Sequence, residues 1–278
     1  MFIIILSAIN FISININIGM SRHKLLRISS FERDYSQSVS STDFKISFNN
    51  APALQRVKSI IVKNVSIPNV GYNITDQKSA SGQPGNNVFV FNILGAPTSI
   101  TITPGFYNIN ELIAAIVADP AAVAVGLAIT VNSVTGKLEF TSTTAIEYVP
   151  LTFNPMARTL GIINGSGVDV LSYDAEGLPD LSGDNELYIA SETLSDGSNL
   201  VDAILQAVPV VAMVPIRVPF GSIQHLEVSE AQVDEITYPS VGQGKSIQTM
   251  DIKVYNDKGV IIDLQNLEWV MILKIYYD

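Results

Sequence analysis

The stretch that decides the fold is VKSIIVKNVSIPNVGYNI, residues 57–74. Val57, Ser59, Ile61, Lys63, Val65 and Ile67 fall on one side of a period-two pattern, with Lys58, Ile60, Val62, Asn64 and Ser66 on the other. β-Branched residues on both sides predict one long strand covered on both faces. Pro68 has no N–H to give a ladder, and Asn69, Gly71 and Asn73 supply turn chemistry after it. A strand of that length predicts the spine of a β-sandwich that ends at a fixed corner.

Outward from this spine the chain is mostly short strands. TDFKISF at 42–48 alternates Phe44, Ile46 and Phe48 and reads as the first core strand, followed by a turn at Ala51, Pro52 and Ala53. A polar loop at 75–87 precedes strands at 88–93 and 99–103. Pro104 and Gly105 turn the chain. Asn108 or Asn110 then caps a helix running to about Ala118, with Leu112, Ile113, Ile116 and Val117 as its apolar stripe. Residues 127–131 and 137–142 predict a hairpin, and MARTLG predicts a short helix closed by Gly161. Residues 99–162 therefore read as a small α/β piece inserted into β surroundings.

Residues 163–186 read as loop, 187–191 as a strand and 201–205 as a helical turn. Pro209 and Pro215 break an apolar run at 208–218, which predicts edge strands or an interface segment. The end is sharply patterned. Residues 248–255 alternate, Asn256, Asp257, Lys258 and Gly259 turn, and the chain returns over 260–264. Trp269 then precedes a last strand at 270–276.

Composition bounds the function. With 278 residues, 47% of them hydrophobic, the chain can bury a substantial core. Only 15% are charged, which suits a surface partly covered by neighbours. There is no cysteine, so disulfides, thiolate zinc sites and cysteine nucleophiles are excluded. The net charge of −10 is unevenly spread. Residues 21–63 hold eight bases (Arg22, Lys24, Arg27, Arg33, Lys45, Arg56, Lys58 and Lys63) against Glu32, Asp34 and Asp43, whereas no base lies between Arg158 and Arg217. The beginning reads as a basic arm, with Arg22, Lys24, Arg27 and Arg33 as candidate contacts.

Residues 1–19 are almost wholly apolar and uncharged. Two readings stay open: an extension upstream of a natural start at Met20, or a membrane-touching segment, against which Asn10, Asn15 and Asn17 argue.

No motif carries catalysis. Gly242, Gln243, Gly244, Lys245 and Ser246 look like the end of a phosphate-binding loop, but Pro239 stands where its first glycine belongs and no helical pattern follows. Asp180, Ser182, Asp184 and Glu186 begin like a calcium loop, yet Asn185 replaces its glycine and Ser191 its closing glutamate. His225 beside Glu227 reads as a strand residue. Three glycosylation sequons, at Asn64, Asn73 and Asn164, recur by chance in an Asn- and Ser-rich chain. No cofactor, metal or small-molecule substrate is expected.

Several segments, in order, resemble the single jelly-roll penton and minor capsid proteins of the double-jelly-roll virus lineage, which includes virophages, polinton-like viruses and large eukaryotic DNA viruses. They are TDFKISF at 42–48, IPNVGYNI at 67–74, NVFVF at 87–91, ITPGFYNINELIAAI at 102–116, TGKLEF at 135–140, ARTLGI at 157–162 and IKVYNDKGVIIDLQNLEWVMILKI at 252–275. The resemblance implies a mainly β protein, a single jelly-roll β-sandwich of two four-stranded antiparallel sheets with a small α/β insertion. It implies a virion protein, not an enzyme, five copies of which close each icosahedral five-fold vertex beside the major capsid protein. The arm would meet neighbouring capsid proteins, an inner membrane or the genome.

The expected organisation is an apolar extension and basic arm at 1–41 and a jelly roll at 42–278. Within the jelly roll lie an insertion at about 99–162 and an acidic loop region at about 163–199. Pro68, Asn69, Tyr72, Pro104, Gly105, Tyr107 and Trp269 are the expected structural corner. Another minor capsid role, or a receptor- or glycan-binding sandwich using the acidic loop, are the alternatives.

Overall fold

The structure is a computed structural model. It describes residues 23–48, 54–150, 152–195, 209–227, 235–238 and 244–277. The chain divides into two compact units, one made of Met1–Val70 with Asn185–Asp278, the other of Gly71–Asp184.

Three strands open the first unit: His23–Ser29 (β1), Asp43–Ser47 (β2) and Leu54–Pro68 (β3). The chain then builds the second unit. This starts with Val88–Ile93 (β4), Ala96–Thr101 (β5), helix Ile109–Val117 (α1) and helix Pro120–Val125 (α2). It continues with Ala128–Val131 (β6), Leu138–Tyr148 (β7), the short helix Ala157–Leu160 (α3) and Val170–Asp174 (β8). Glu186–Ala190 (β9), Val210–Pro215 (β10), Ile223–Glu227 (β11), Ile236–Thr237 (β12), Lys245–Ile247 (β13), Thr249–Asn256 (β14) and Val270–Tyr277 (β15) complete the first unit.

The pairing of the first unit gives its fold. β11, β12 and β13 run in turn down one edge of β3: Ile223 faces Pro68, Ile236 faces Ile60 and Ile247 faces Leu54. Taken as one interrupted strand, they make the first sheet four-stranded, in the order β1, β15, β3, β11–β13; the second runs β10, β9, β14, β2. Numbered one to eight along the chain, the strands pair first with eighth (β1–β15), second with seventh (β2–β14), third with sixth (β3 with β11–β13) and fourth with fifth (β9–β10). All these pairings are antiparallel. This nesting is a jelly roll, and Gly71–Asp184 enters between its third and fourth strands.

β3 is the expected spine, but its alternation is not the simple one. Asn64 faces Ile272 while Val62 faces Leu273, which leaves Lys63 extra; Ser59 faces Tyr276 while Val57 faces Tyr277, which leaves Lys58 extra. Each bulge flips the side-chain phase. Val57, Ile60, Val62, Val65 and Ile67 thereby all reach one core, with Phe44, Ile252, Trp269, Met271 and Leu273 opposite or beside them. Both extra residues are lysines, whose charge favours the solvent side of the sheet. The apolar residues on both sides of the sequence pattern come largely from this double phase shift.

Two expected boundaries are corrected. The jelly roll begins at β1, not at residue 42: the segment read as an arm pairs along β15 from His23 to Ser29 and buries Leu26 and Ile28. An edge strand with Lys24, Leu25 and Arg27 facing out hides its alternation behind charge. The insertion spans Gly71–Asp184 instead of about 99–162. β4 pairs with β5 and β7, and β8, in the presumed acidic loop, pairs with β7. β9, from the far end of that loop region, belongs to the jelly roll. The turn at 51–53 and the helical turn at 201–205 lie outside the described residues.

The inserted unit has its own core. Phe89, Phe91, Phe140 and Tyr148 from the sheet meet Leu112 and Ile116 of α1 and Val125 of α2. Asn108 caps α1 in a reciprocal box with Glu111, and Gly161 closes α3 in the left-handed conformation.

Candidate functional site

The expected corner residues fall into three separate constructions. At the end of β3, buried Pro68 faces Ile223. Asn69 then holds the turn before β11. Its N–H donates to Ser222 O at 2.8 Å, its carbonyl accepts from Gly221 N at 2.7 Å, and its Nδ2 donates to Val218 O at 2.8 Å. Proline stops the ladder and the next asparagine converts the stop into a fixed bend.

The second construction, in the inserted unit, centres on a residue the sequence reads only as turn chemistry. Asn73 is buried; its Nδ2 donates to Tyr107 O (2.8 Å) and Leu181 O (3.1 Å), and its Oδ1 accepts from Tyr107 N (2.9 Å). Ile74 and Gly105 exchange backbone hydrogen bonds of 3.0 and 2.9 Å. Asn86 Nδ2 donates to Asn73 O (2.8 Å) and Thr159 Oγ1 (3.0 Å), while Asn87 Nδ2 donates to Ile102 O (3.3 Å). Gly105 and Tyr107 belong here, next to Pro104. Tyr72 is half-buried beside Asn73. Four segments that carry the family resemblance, ending or beginning at residues 74, 87, 102 and 157, thus meet in one network. The sequon at Asn73 is consumed by it, since a buried, fully bonded amide offers no acceptor for a glycan.

Trp269 makes the third. Its indole N–H donates to Ser41 O at 2.7 Å, its backbone N–H donates to Ser30 Oγ at 2.9 Å, and Phe44 packs edge-on at 5.9 Å. Glu268 beside it bonds Ser30 Oγ and pairs with Arg33 Nη1 at 2.6 Å; Arg33 also donates to Ser30 O at 2.7 Å. The last strand thereby clamps the loop between β1 and β2.

Three of the four expected arm contacts sit within the folded jelly roll. Arg33 is structural, paired with Glu268 and stacked over Tyr35 at 4.4 Å. Lys24 and Arg27 sit on β1, the first over the Tyr277 ring and the second against Glu32 at 3.5 Å. Arg22 lies outside the described residues, as do residues 1–19. No described helix is long and apolar enough to cross a membrane.

The structure was also compared with known proteins. No protein-family model matches the chain, and no curated protein matches it in sequence. In structure it is similar to the mavirus penton protein, at 9% identity and a TM-score of 0.46, over 92% of this chain and 100% of that one. It is also similar to a chain of the Sputnik virophage structure, at 12% identity and a TM-score of 0.45, over 92% of this chain and 98% of that one.

The chemical candidates resolve into structural roles. Lys245 and Ser246 lie in β13, and a Cβ on Gly244 would come within 2.6 Å of the Arg56 backbone, so the glycine permits close strand contact; Gly242 and Gln243 lie outside the described residues. Lys245 Nζ donates to Thr193 O (2.6 Å) and Ser195 O (3.2 Å). Asp180 accepts from Ser182 N and Oγ in a local turn, and Glu186 accepts from Tyr188 OH at 2.8 Å. Among the described residues no group of three His, Asp or Glu is placed to hold a metal ion. His225 Nδ1 lies 2.9 Å from Ser66 Oγ across the ladder, with Asn64 as the serine's other partner.

Two carboxylates are held below their usual range although burial alone would raise them. Asp251 takes hydrogen bonds from Thr193 Oγ1, Thr193 N (2.8 Å) and Glu192 N (3.0 Å). Glu176 takes them from Ile163 N (2.9 Å) and Tyr173 OH (2.6 Å). Each carboxylate fastens a loop. Burial lifts the hydroxyls of Tyr148 and Tyr173, whose rings stack at 4.7 Å, well above the ordinary phenol range.

Proposed function

We propose that this chain is a structural protein of a viral capsid, acting as the vertex (penton) subunit, with five copies around each five-fold axis. The observation that carries the reading is the nested pairing of eight strands into a complete jelly roll, interrupted once between its third and fourth strands by a unit with its own core. The resembling sequence segments support it, because four of them converge on the Asn73 network of that unit. Pro68, Asn69 and Trp269 hold the shape of the jelly roll, and Tyr72, Pro104, Gly105 and Tyr107 that of the insertion. The partners are further copies of the chain and the major capsid protein of the same virion, and the place of action is the virion.

Mass measurement on the purified full chain, alone and mixed with a double-jelly-roll major capsid protein, tests this. A closed five-copy ring, or capsid vertices filled only when the chain is present, is the expected result. A strict monomer with no affinity for the capsid protein would overturn it.

A further inference from the structure

The two sheets of the jelly roll turn very different outer faces away from their shared core. On the second sheet, two of the β14 residues that point away from the core face opposite charges on β2, Asp251 opposite Lys45 and Lys253 opposite Asp43, while Tyr255 faces Tyr188 of β9. Such cross-strand pairs make an ordinary solvated face. On the first sheet, register puts Leu25, Lys274 and Ile61 in one outward row and Arg27, Ile272 and Asn64 in the next, flanked by Val270 and Tyr276. β15 is therefore apolar on both faces, the pattern of a strand covered on both sides. Leu25 is 38% exposed, and buried Ile61 joins neither hydrophobic core. Arg27 on the edge strand β1 and Lys274 on the central β15 add two basic groups to this face.

The same chain carries a surface of the opposite charge. Gly71–Asp184 contains ten acidic residues against Lys78, Lys137 and Arg158, so it holds −7 of the chain's −10. Its loops also display apolar side chains: Ile163 and Leu178 are 52% and 62% exposed. They are held in place by backbone contact. Gly177 N donates to Gly161 O at 2.8 Å, Glu176 accepts from Ile163 N, and a Cβ on Gly161 would lie 2.4 Å from Gly177 O. Asp174 and Asp180 flank Leu178 in sequence and are exposed.

We infer that the outer face of the first sheet docks the acidic loops of the inserted unit of a second copy. Leu25, Ile272 and Tyr276 receive Ile163 and Leu178, while Arg27 and Lys274 meet Asp174 and Asp180. Charge complementarity selects this occupant: the face combines apolar and basic side chains, and the loops combine apolar and acidic ones. Two different surfaces meeting in this way form a heterologous contact, which closes into a ring or continues as a filament. The inference rests on the reading of the chain as a self-assembling capsid protein and names the surfaces that would do it.

Sedimentation of the full chain over a range of concentration and salt tests it, with circular dichroism and melting to confirm that each variant folds. Ile272→Asp and Leu178→Asp should each weaken association by about tenfold or more, as truncating a central contact does. Lys274→Glu and Asp180→Lys should each weaken it, and the double variant should regain most of the loss. Added salt should weaken the wild type. Association untouched by the four single variants, or a double variant no better than its parents, would overturn the inference. A wild-type chain that stays monomeric yet fills capsid vertices would overturn it too, and would leave the capsid reading standing.

Discussion

The jelly roll and the inserted unit are both antiparallel and both well packed, yet they are closed by opposite means. In the jelly roll, His23 pairs with Tyr276 and the Trp269 indole reaches Ser41, so its first described strand takes its ladder from its last. In the inserted unit, β4 turns into β5 across two residues and β6 into β7 across six, with Asn132 Oδ1 accepting from Val134 N and Thr135 N to shape the second turn. The jelly roll must order most of the chain before its sheet is complete, whereas the insertion gains its contacts locally. This difference predicts two unfolding transitions that respond to separate mutations.

The largest effect should come from Trp269→Ala. It removes the largest buried side chain and leaves Ser41 O without its donor, for a loss of about 3–5 kcal/mol. Calorimetry should show the jelly-roll transition moving down while the other stays. Excised Gly71–Asp184 should still melt cooperatively. A single transition in the full chain that falls as a whole would break the comparison.

Asn73→Ala should do the reverse. It removes the donor to the part-buried carbonyls of Tyr107 and Leu181 and the acceptor of Tyr107 N, and should destabilise the insertion by about 2–3 kcal/mol. Hydrogen exchange should rise around residues 73, 86 and 107 and remain unchanged in β3.

Asp251→Asn should cost the jelly roll about 1 kcal/mol at neutral pH through weakened hydrogen bonds to Thr193 and Glu192. The sign with pH follows from a carboxyl held low in the folded state. Its stabilisation is complete above the unfolded-state value, about 3.9, and is lost as pH falls through the lower folded value. The gap between wild type and variant in urea midpoint should therefore close in acid. Glu176→Gln should give the same trend for the insertion.

Pro68→Ala should have the smallest effect, about 0.5 kcal/mol, because Asn69 still holds the bend through three hydrogen bonds. A loss comparable to that from Trp269→Ala would mean that proline, not asparagine, fixes the corner.

Much of this was legible in the residues. The long strand, its stop at Pro68, the Asn108 cap, the turn before β7, the Gly161 stop and the closing β14 and β15 all depend on neighbours within a few positions. β1 was hidden because an edge strand wears charge outward. β8 was hidden because VLSYD follows a Gly- and Ser-rich run and is exposed along most of its length. Asn73 looked like turn chemistry, and nothing local announced that its amide would be shared with Tyr107 and Leu181.

By itself the sequence determined the class: β-rich, low in charge, without cysteine, and punctuated by Pro, Asn and Gly where the chain must turn. Only the tertiary structure decided which strands share a sheet, that the insertion takes Gly71–Asp184, and that bulges at Lys58 and Lys63 bring both phases of the spine into one core. Local propensity sets whether a segment extends and where it stops. Partner, register and face are set from a distance: β1, β2 and β3 find β15 and β14 more than two hundred positions away.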